Sequence, residues 1–310
     1  MLSAPGNRNR QTREGQADYT SEGNRHYTPS RAPVKGGPVN ILKPERKLAI
    51  LSGLIEGCSA RSVSRMTGCH LETVLKVLVE SGKKCEALLN DRMRGLHCEA
   101  VEMDELWSYV YKKQRVLKPE DRIQHPEYGD AYTFVALDPT TKAVVAYLVG
   151  KRDYVSTDTF IADLSQRIDG PVQLSTDGFQ YYQSTIARHF GSRASHAEIV
   201  KWYTSVNPGS GRYAPPMVGG IQITERLGSP DRSKICTSYV ERNNWTIRCS
   251  VRRFTRLTNA FSRKIENLKA AVALWFAYYN FCRIHGSLRV TPAMRAGITG
   301  HVWNLVDLIA

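Results

Sequence analysis

Between residues 98 and 203 the sequence keeps changing its apolar period, and few architectures can bury such a pattern. CEAVEMDELWSYVYKK (98–113) alternates apolar and polar residues as a strand does. YTFVALDPTTKAVVAYLVGK (132–151) is two apolar runs around Asp138-Pro139, a hairpin signal. STDTFIADLSQRI (156–168) has helical spacing, with Ser156 or Thr157 as expected N-cap. VQLSTDGF (172–179) reads as a short strand ending at Asp177-Gly178, YYQSTIARHF (181–190) as a helix and SHAEIVKWY (195–203) as a further strand. Strand, hairpin, helix, strand, helix, strand predicts an α/β fold with a mixed sheet. Ligand chemistry in such sheets gathers at strand ends, and Asp177 occupies one.

Helical periodicity precedes this region. Leu48, Leu51, Leu54 and Ile55 form the stripe of a first helix ended by Gly57. Ser59 is the expected N-cap of a second, SARSVSRMT, and Gly68 gives a tight turn into a third, HLETVLKVLVES. Two short helices joined by a Gly-containing turn, with a third before them, form a helix-turn-helix pattern. In that geometry His70, Glu72, Thr73 and Lys76 face the major groove of DNA. The competing reading is a three-helix bundle that touches only protein. Residues 81–97 read as a helical or loop connector. Residues 1–43, rich in Gly, Pro, Arg and Ser, predict a mobile polar tail.

After the sheet, 204–238 is dense in Gly, Pro and Ser and reads as an irregular insert. From 239 to 280 one long or two consecutive helices are expected. Val240, Ile247, Val251 and Phe254 form an apolar stripe there, beside Glu241, Asn244, Arg248 and Arg252. Residues 242–295 hold eleven Lys or Arg and one acid, Glu266, so this stretch looks built for phosphates. The apolar excess of 265–285 reads as core, with self-association as the alternative. Residues 296–310 read as a C-terminal tail segment.

The charge of the whole chain points the same way. Lys and Arg number 43 against 29 acids, a net +14 over 310 residues, which implies a polyanionic partner. No run of 18 apolar residues is present, so no membrane helix is expected. The polar N-terminus argues against a secretory leader. Seven cysteines without a C-x-x-C pair predict reduced thiols in a cytoplasmic protein. Neither Cys58, Cys69 and His70 nor Cys85, His97 and Cys98 has the paired spacing of a zinc site.

Acidic side chains in a basic protein suggest a hard divalent cation acting on a phosphate backbone. Asp138 reads as a turn residue, Asp158 and Asp163 as an exposed helix face and Asp231 as a solvated loop residue. Alternation places Glu102 and Asp104 on one strand face and Glu105 on the other, and residue type alone does not choose among the three.

MDELW, STDGFQYY and the block from TSYVERNNWTIRCSVRRFTRL to RIHGSLRVTPAMRAGIT resemble transposases of bacterial insertion sequences, in particular the insertion-sequence-one family. The resemblance runs from about residue 45 to the C-terminus. It implies an RNase-H-like catalytic domain over 98–295, with the insert 204–238, behind a helix-turn-helix domain and connector at 44–97. It also implies an Asp-Asp-Glu active site: Asp104 on the first strand, Asp177 after the fourth and Glu241 on a following helix. The insert lengthens the gap from Asp177 to Glu241, and 1–43 does not resemble the zinc-binding module of the family's prototype.

Carried over, that activity binds terminal inverted repeats of double-stranded DNA, cleaves to a 3′-OH and joins it to target DNA. Two Mg²⁺, replaceable by Mn²⁺, would be held about 3.5–4 Å apart by Asp104, Asp177 and Glu241. Arg242, Arg248, Arg252 and Arg253 are candidates for phosphates, Asn244 for orienting the scissile phosphate and Trp245 for a displaced base or the core. A homodimer or higher oligomer on DNA, associated with the bacterial nucleoid, is expected. The alternatives are a silent DNA-binding descendant and a metal-dependent nuclease without strand transfer. Tyr181, Tyr182 and Tyr239 lack the companions of a tyrosine recombinase.

Overall fold

The computed structural model describes residues 42–204, 217–255 and 258–309. The tail expected over 1–43 lies outside the described residues except for its last two positions. Three helices come first: α1 Pro44–Ile55, α2 Ala60–Thr67 and α3 Leu71–Arg92. Pro44 opens α1, where its missing N–H costs nothing. Ser59 caps α2 by accepting from the Ser62 N–H at 3.0 Å. Gly68, at φ 67°, ends α2 in the left-handed conformation.

The 81–97 connector is mostly helix, because α3 continues for 22 residues to Arg92. Its second half packs along α8 (Ile265–Ala277). Gly82 permits the close approach, since a Cβ there would meet Ala270 Cα at 2.5 Å.

The sheet follows, with β1 Ala100–Val110, β2 Gly129–Leu137 and β3 Val144–Gly150. A short helix, α4 Pro119–Gln124, interrupts the β1–β2 connection. Then come α5 Tyr154–Arg167, β4 Val172–Thr176, α6 Tyr182–Phe190, β5 Ala194–Thr204 and β6 Met217–Leu227. The N-cap of α5 is Asp153, not Ser156 or Thr157; its carboxylate accepts from the Ser156 N–H at 2.8 Å. The expected irregular insert contains β6, which pairs antiparallel with β5 from His196 to Thr204.

The strand order is β3-β2-β1-β4-β5-β6. β1 is antiparallel to β2, β2 antiparallel to β3, and β1, β4 and β5 run parallel. The C-terminal ends of β1, β3, β4 and β5 therefore share one edge. Glu102 pairs with Ser175, so continuing the register by two residues brings Asp177 beside Asp104. α7 Ser238–Ser250 packs against β1 and β2, whereas α5 packs against β2, β3 and α6.

Val240, Ile247, Val251 and Phe254 are buried as the stripe predicted, although α7 ends at Ser250 and the last two follow it. The 265–285 block is core: Leu268 to Ala277 is buried but for Lys269, and Asn280 bridges the Val144 N–H and C=O at 3.0 and 2.9 Å. The terminal segment folds back after α9 (Pro292–Arg295). Trp303 donates its backbone N–H to the Phe281 carbonyl, and the Leu308 side chain is buried. The first three helices and the sheet share one hydrophobic core. Among the described residues no helix is long and apolar enough to cross a membrane.

Candidate active site

Carboxylates converge where the middle of β1 meets the end of β4. Oxygens of Asp104, Glu105 and Asp177 lie within 4.8 Å of one another. Alternation along β1 aims its acids as the sequence predicted. Asp104 Oδ2 faces α7 and accepts from Asn244 Nδ2 at 2.9 Å, while Oδ1 accepts from the Glu105 N–H at 2.8 Å. Glu102, on the same face, accepts from the Tyr239 and Val240 N–H groups at 2.8 and 2.9 Å. Thr237 gives α7 no side-chain cap, so a strand carboxylate does that work. Glu105 faces the other way and accepts from the Tyr182 hydroxyl.

Burial, with the Asp177 charge behind it, pushes the Asp104 carboxyl up to about 6 and Glu105 up to about 7. Asp177 is raised as well, chiefly by burial. Arg152, two residues past β3, ties two of the three together. Its Nε donates to Glu105 Oε2 at 2.9 Å and a terminal nitrogen to Asp177 Oδ2 at 3.2 Å.

Glu241 stands on α7 outside this group. Its Oε1 accepts from Thr237 Oγ1 at 2.8 Å and from Lys201 Nζ at 2.5 Å. Its charge still acts on Asp104, and it lines one cavity with Asp104, Glu105, Asn244 and Arg248. The structure thus brings Asp104 and Asp177 together with Glu105 as the third carboxylate, and holds Glu241 beside them on Lys201.

Hard oxygen donors at this spacing suit a divalent cation. Asn244 Oδ1 is buried beside them without a hydrogen-bond partner.

No family model matches the sequence, and no curated protein matches it. Solved structures give distant likenesses. The Mos1 transposase paired-end complex with left transposon end is 13% identical over 51% of this chain and 60% of that one, at a TM-score of 0.20. The Mos1 mariner paired end complex with Mn gives the same figures. The piggyBac transposase synaptic complex with hairpin DNA is 8% identical over 90% of this chain and 72% of that one, at 0.39. At such scores these likenesses carry no argument about this chain.

The other residues singled out in the sequence scatter. His70 is exposed and caps α3 through the Glu72 N–H at 3.4 Å. Thr73 is half-buried, and Lys76 is exposed and 3.9 Å from Glu80. Arg242 is exposed and lies 4.4 Å over the ring of Trp245, itself exposed rather than core. Arg252 is half-buried. Arg253 Nε donates to Ser262 Oγ at 2.8 Å, and burial lowers its pKa to about 10. Arg248 and Arg253 line a second cavity with Trp107, Tyr109 and Phe261.

Sequence reasoning missed Arg152, Lys201 and the hydroxyl of Tyr182 as site residues. Arg152 follows a strand that runs in the direction of β1 and β4, a relation that the sheet fixes and local sequence does not.

Proposed function

We propose that this chain is a DNA transposase of the Asp-Asp-Glu type, of the kind found in bacterial insertion sequences. It binds transposon ends, cleaves a phosphodiester to leave a 3′-OH and transfers that end into target DNA. The observation that carries the reading is the convergence of Asp104, Glu105 and Asp177 between the two central strands, with Glu241 alongside, in a protein of net charge +14. So many cations beside a carboxylate cluster match a phosphate backbone cut with a divalent cation.

Asp104, Asp177 and either Glu105 or Glu241 would hold Mg²⁺ or Mn²⁺, which when bound activates a water and stabilises charge on the departing oxygen. The protein's part is positioning. Asn244 fixes the Asp104 carboxylate, and the Phe179 N–H fixes Asp177 Oδ1 at 3.0 Å. Arg242, Arg248 and Arg252 on and after α7 supply charge for strand phosphates. The pair α2–α3 serves as the helix-turn-helix of a DNA-binding region over 44–97, with His70, Thr73 and Lys76 toward the groove. Two ends must be joined, so the working form is at least a dimer on DNA.

The test is strand cleavage and joining on a labelled duplex that carries the terminal repeat flanking the chain's own gene. Wild type is compared with Asp177→Ala in Mg²⁺ and in Mn²⁺, after melting curves show that both are folded. Cation-dependent 3′ cleavage and joined products, lost in the variant, support the proposal. Cutting without joining would make the chain a nuclease. Binding without cutting in either cation would leave a DNA-binding descendant.

A further inference from the structure

Arg152 occupies a curious place for a phosphate-seeking residue. It crosses from the end of β3 to two carboxylates 47 and 25 residues away and bridges them with one planar fork. Glu105 is nearly inaccessible, at 2% side-chain exposure, whereas Arg152 is 37% exposed and Asp177 40% exposed. The guanidinium is packed against the Phe179 ring, 4.1 Å from its centroid. Arg152 also lines an open cavity of about 520 Å³, together with Arg122, Lys151, Tyr132 and Phe179. Among the described residues that line it, Asp130 is the one acid, and it accepts from the Gln114 N–H.

We propose that Arg152 is a displaceable counter-ion of the carboxylate site. Without a cation its guanidinium neutralises Glu105 and Asp177; when a divalent cation takes those oxygens, Arg152 turns into the adjacent cavity and holds a DNA backbone phosphate. The inference rests on the cation-dependent reading above. The physical ground is competition. A guanidinium and a divalent cation seek the same carboxylate oxygens, and among the described residues Asp104 bonds to Asn244 and a backbone N–H, not to a cation. The exposure of Arg152 gives it a path out, which a buried pair would lack. The Phe179 face can hold a flat cation through such a turn.

The experiment uses the full chain. Calorimetric titration with Mn²⁺ is made on wild type, Arg152→Ala and Arg152→Lys, and each is then bound to a random-sequence duplex with and without Mn²⁺. Arg152→Ala is expected to bind Mn²⁺ at least roughly tenfold more tightly, as its two charge-assisted contacts need no longer be broken. Arg152→Lys, which keeps the charge without the fork, falls between and guards against a folding defect. In Mn²⁺, Arg152→Ala should bind duplex several-fold more weakly, with a salt slope smaller by about one phosphate contact; without Mn²⁺ it should match wild type. Equal or weaker Mn²⁺ binding by Arg152→Ala overturns the proposal, because Arg152 would then be a fixed support. Tighter Mn²⁺ binding with no change on DNA overturns the phosphate half. If no variant, wild type included, binds Mn²⁺, the cation-dependent reading itself fails.

Discussion

Replacing Glu102 tests whether one buried carboxylate sets the position of α7. Glu102 is 1% exposed and accepts two N–H groups from the first turn of α7. Burial raises its pKa, and the Val240 and Tyr239 N–H groups pull it back. Glu102→Ala leaves both donors unpaired in the interior, at about 1–3 kcal/mol each. Removing an unfavourably buried charge returns part of that, so a net loss of about 3 kcal/mol is expected. Glu102→Gln keeps an acceptor oxygen and sheds the charge, so it should lose about 1 kcal/mol or less. Urea unfolding at neutral pH without divalent cations, extrapolated linearly, measures both. Because α7 carries Glu241 and Asn244, strand cleavage should fall further in Glu102→Ala than in Glu102→Gln at a temperature where both are folded. Equal losses in the two variants, or under about 1 kcal/mol for Ala, would refute the capping argument.

Three further outcomes follow from other parts of the structure. Gly82→Ala improves helix propensity yet places a Cβ 2.5 Å from Ala270, so the melting point should fall, with a cost of about 1–3 kcal/mol; a stabilised variant would show that α3 and α8 do not touch there. Glu105, raised to about 7, must shed its proton to ligate a cation, so calorimetric Mn²⁺ affinity should climb from about pH 6 to about pH 8 with proton release; a flat profile removes Glu105 from the ligand set. His196 is buried with its Nε2 2.8 Å from Thr176 Oγ1, and burial lowers its pKa from 6.5 to about 4. Between those values the unfolded chain binds the proton and the folded one does not, so its stabilising effect is complete above pH 6.5 and lost as pH falls toward 4. His196→Gln should flatten that part of the stability curve relative to wild type, and an unchanged slope in urea titrations would count against it.

Much of this fold is legible locally. The alternation of β1, the Asp138-Pro139 hairpin and the buried stripe of α7 come from neighbouring residues, and the structure keeps them. So does the division of Glu102 and Asp104 from Glu105, because pleating alone decides it. β6 was not legible. Its Gly219-Gly220 pair and the Pro- and Gly-rich residues before it argue against a strand, but the edge of β5 supplies hydrogen-bond partners that local propensity omits. The length of α3 was hidden likewise, since Gly82 weakens a helix until α8 rests on it.

The candidate site divides in the same way. Residue type and the resemblance nominate Asp104, Asp177 and Glu241, and the parallel register of β1 with β4 sets the first two side by side. Strand order and the seating of α7 decide which cation meets which acid: Arg152 with Glu105 and Asp177, Lys201 with Glu241 across 40 residues. Periodicity is a property of a few neighbouring residues and can be read along the chain. Charge pairing across a sheet edge depends on how distant strands are ordered, and it exists only once they have met.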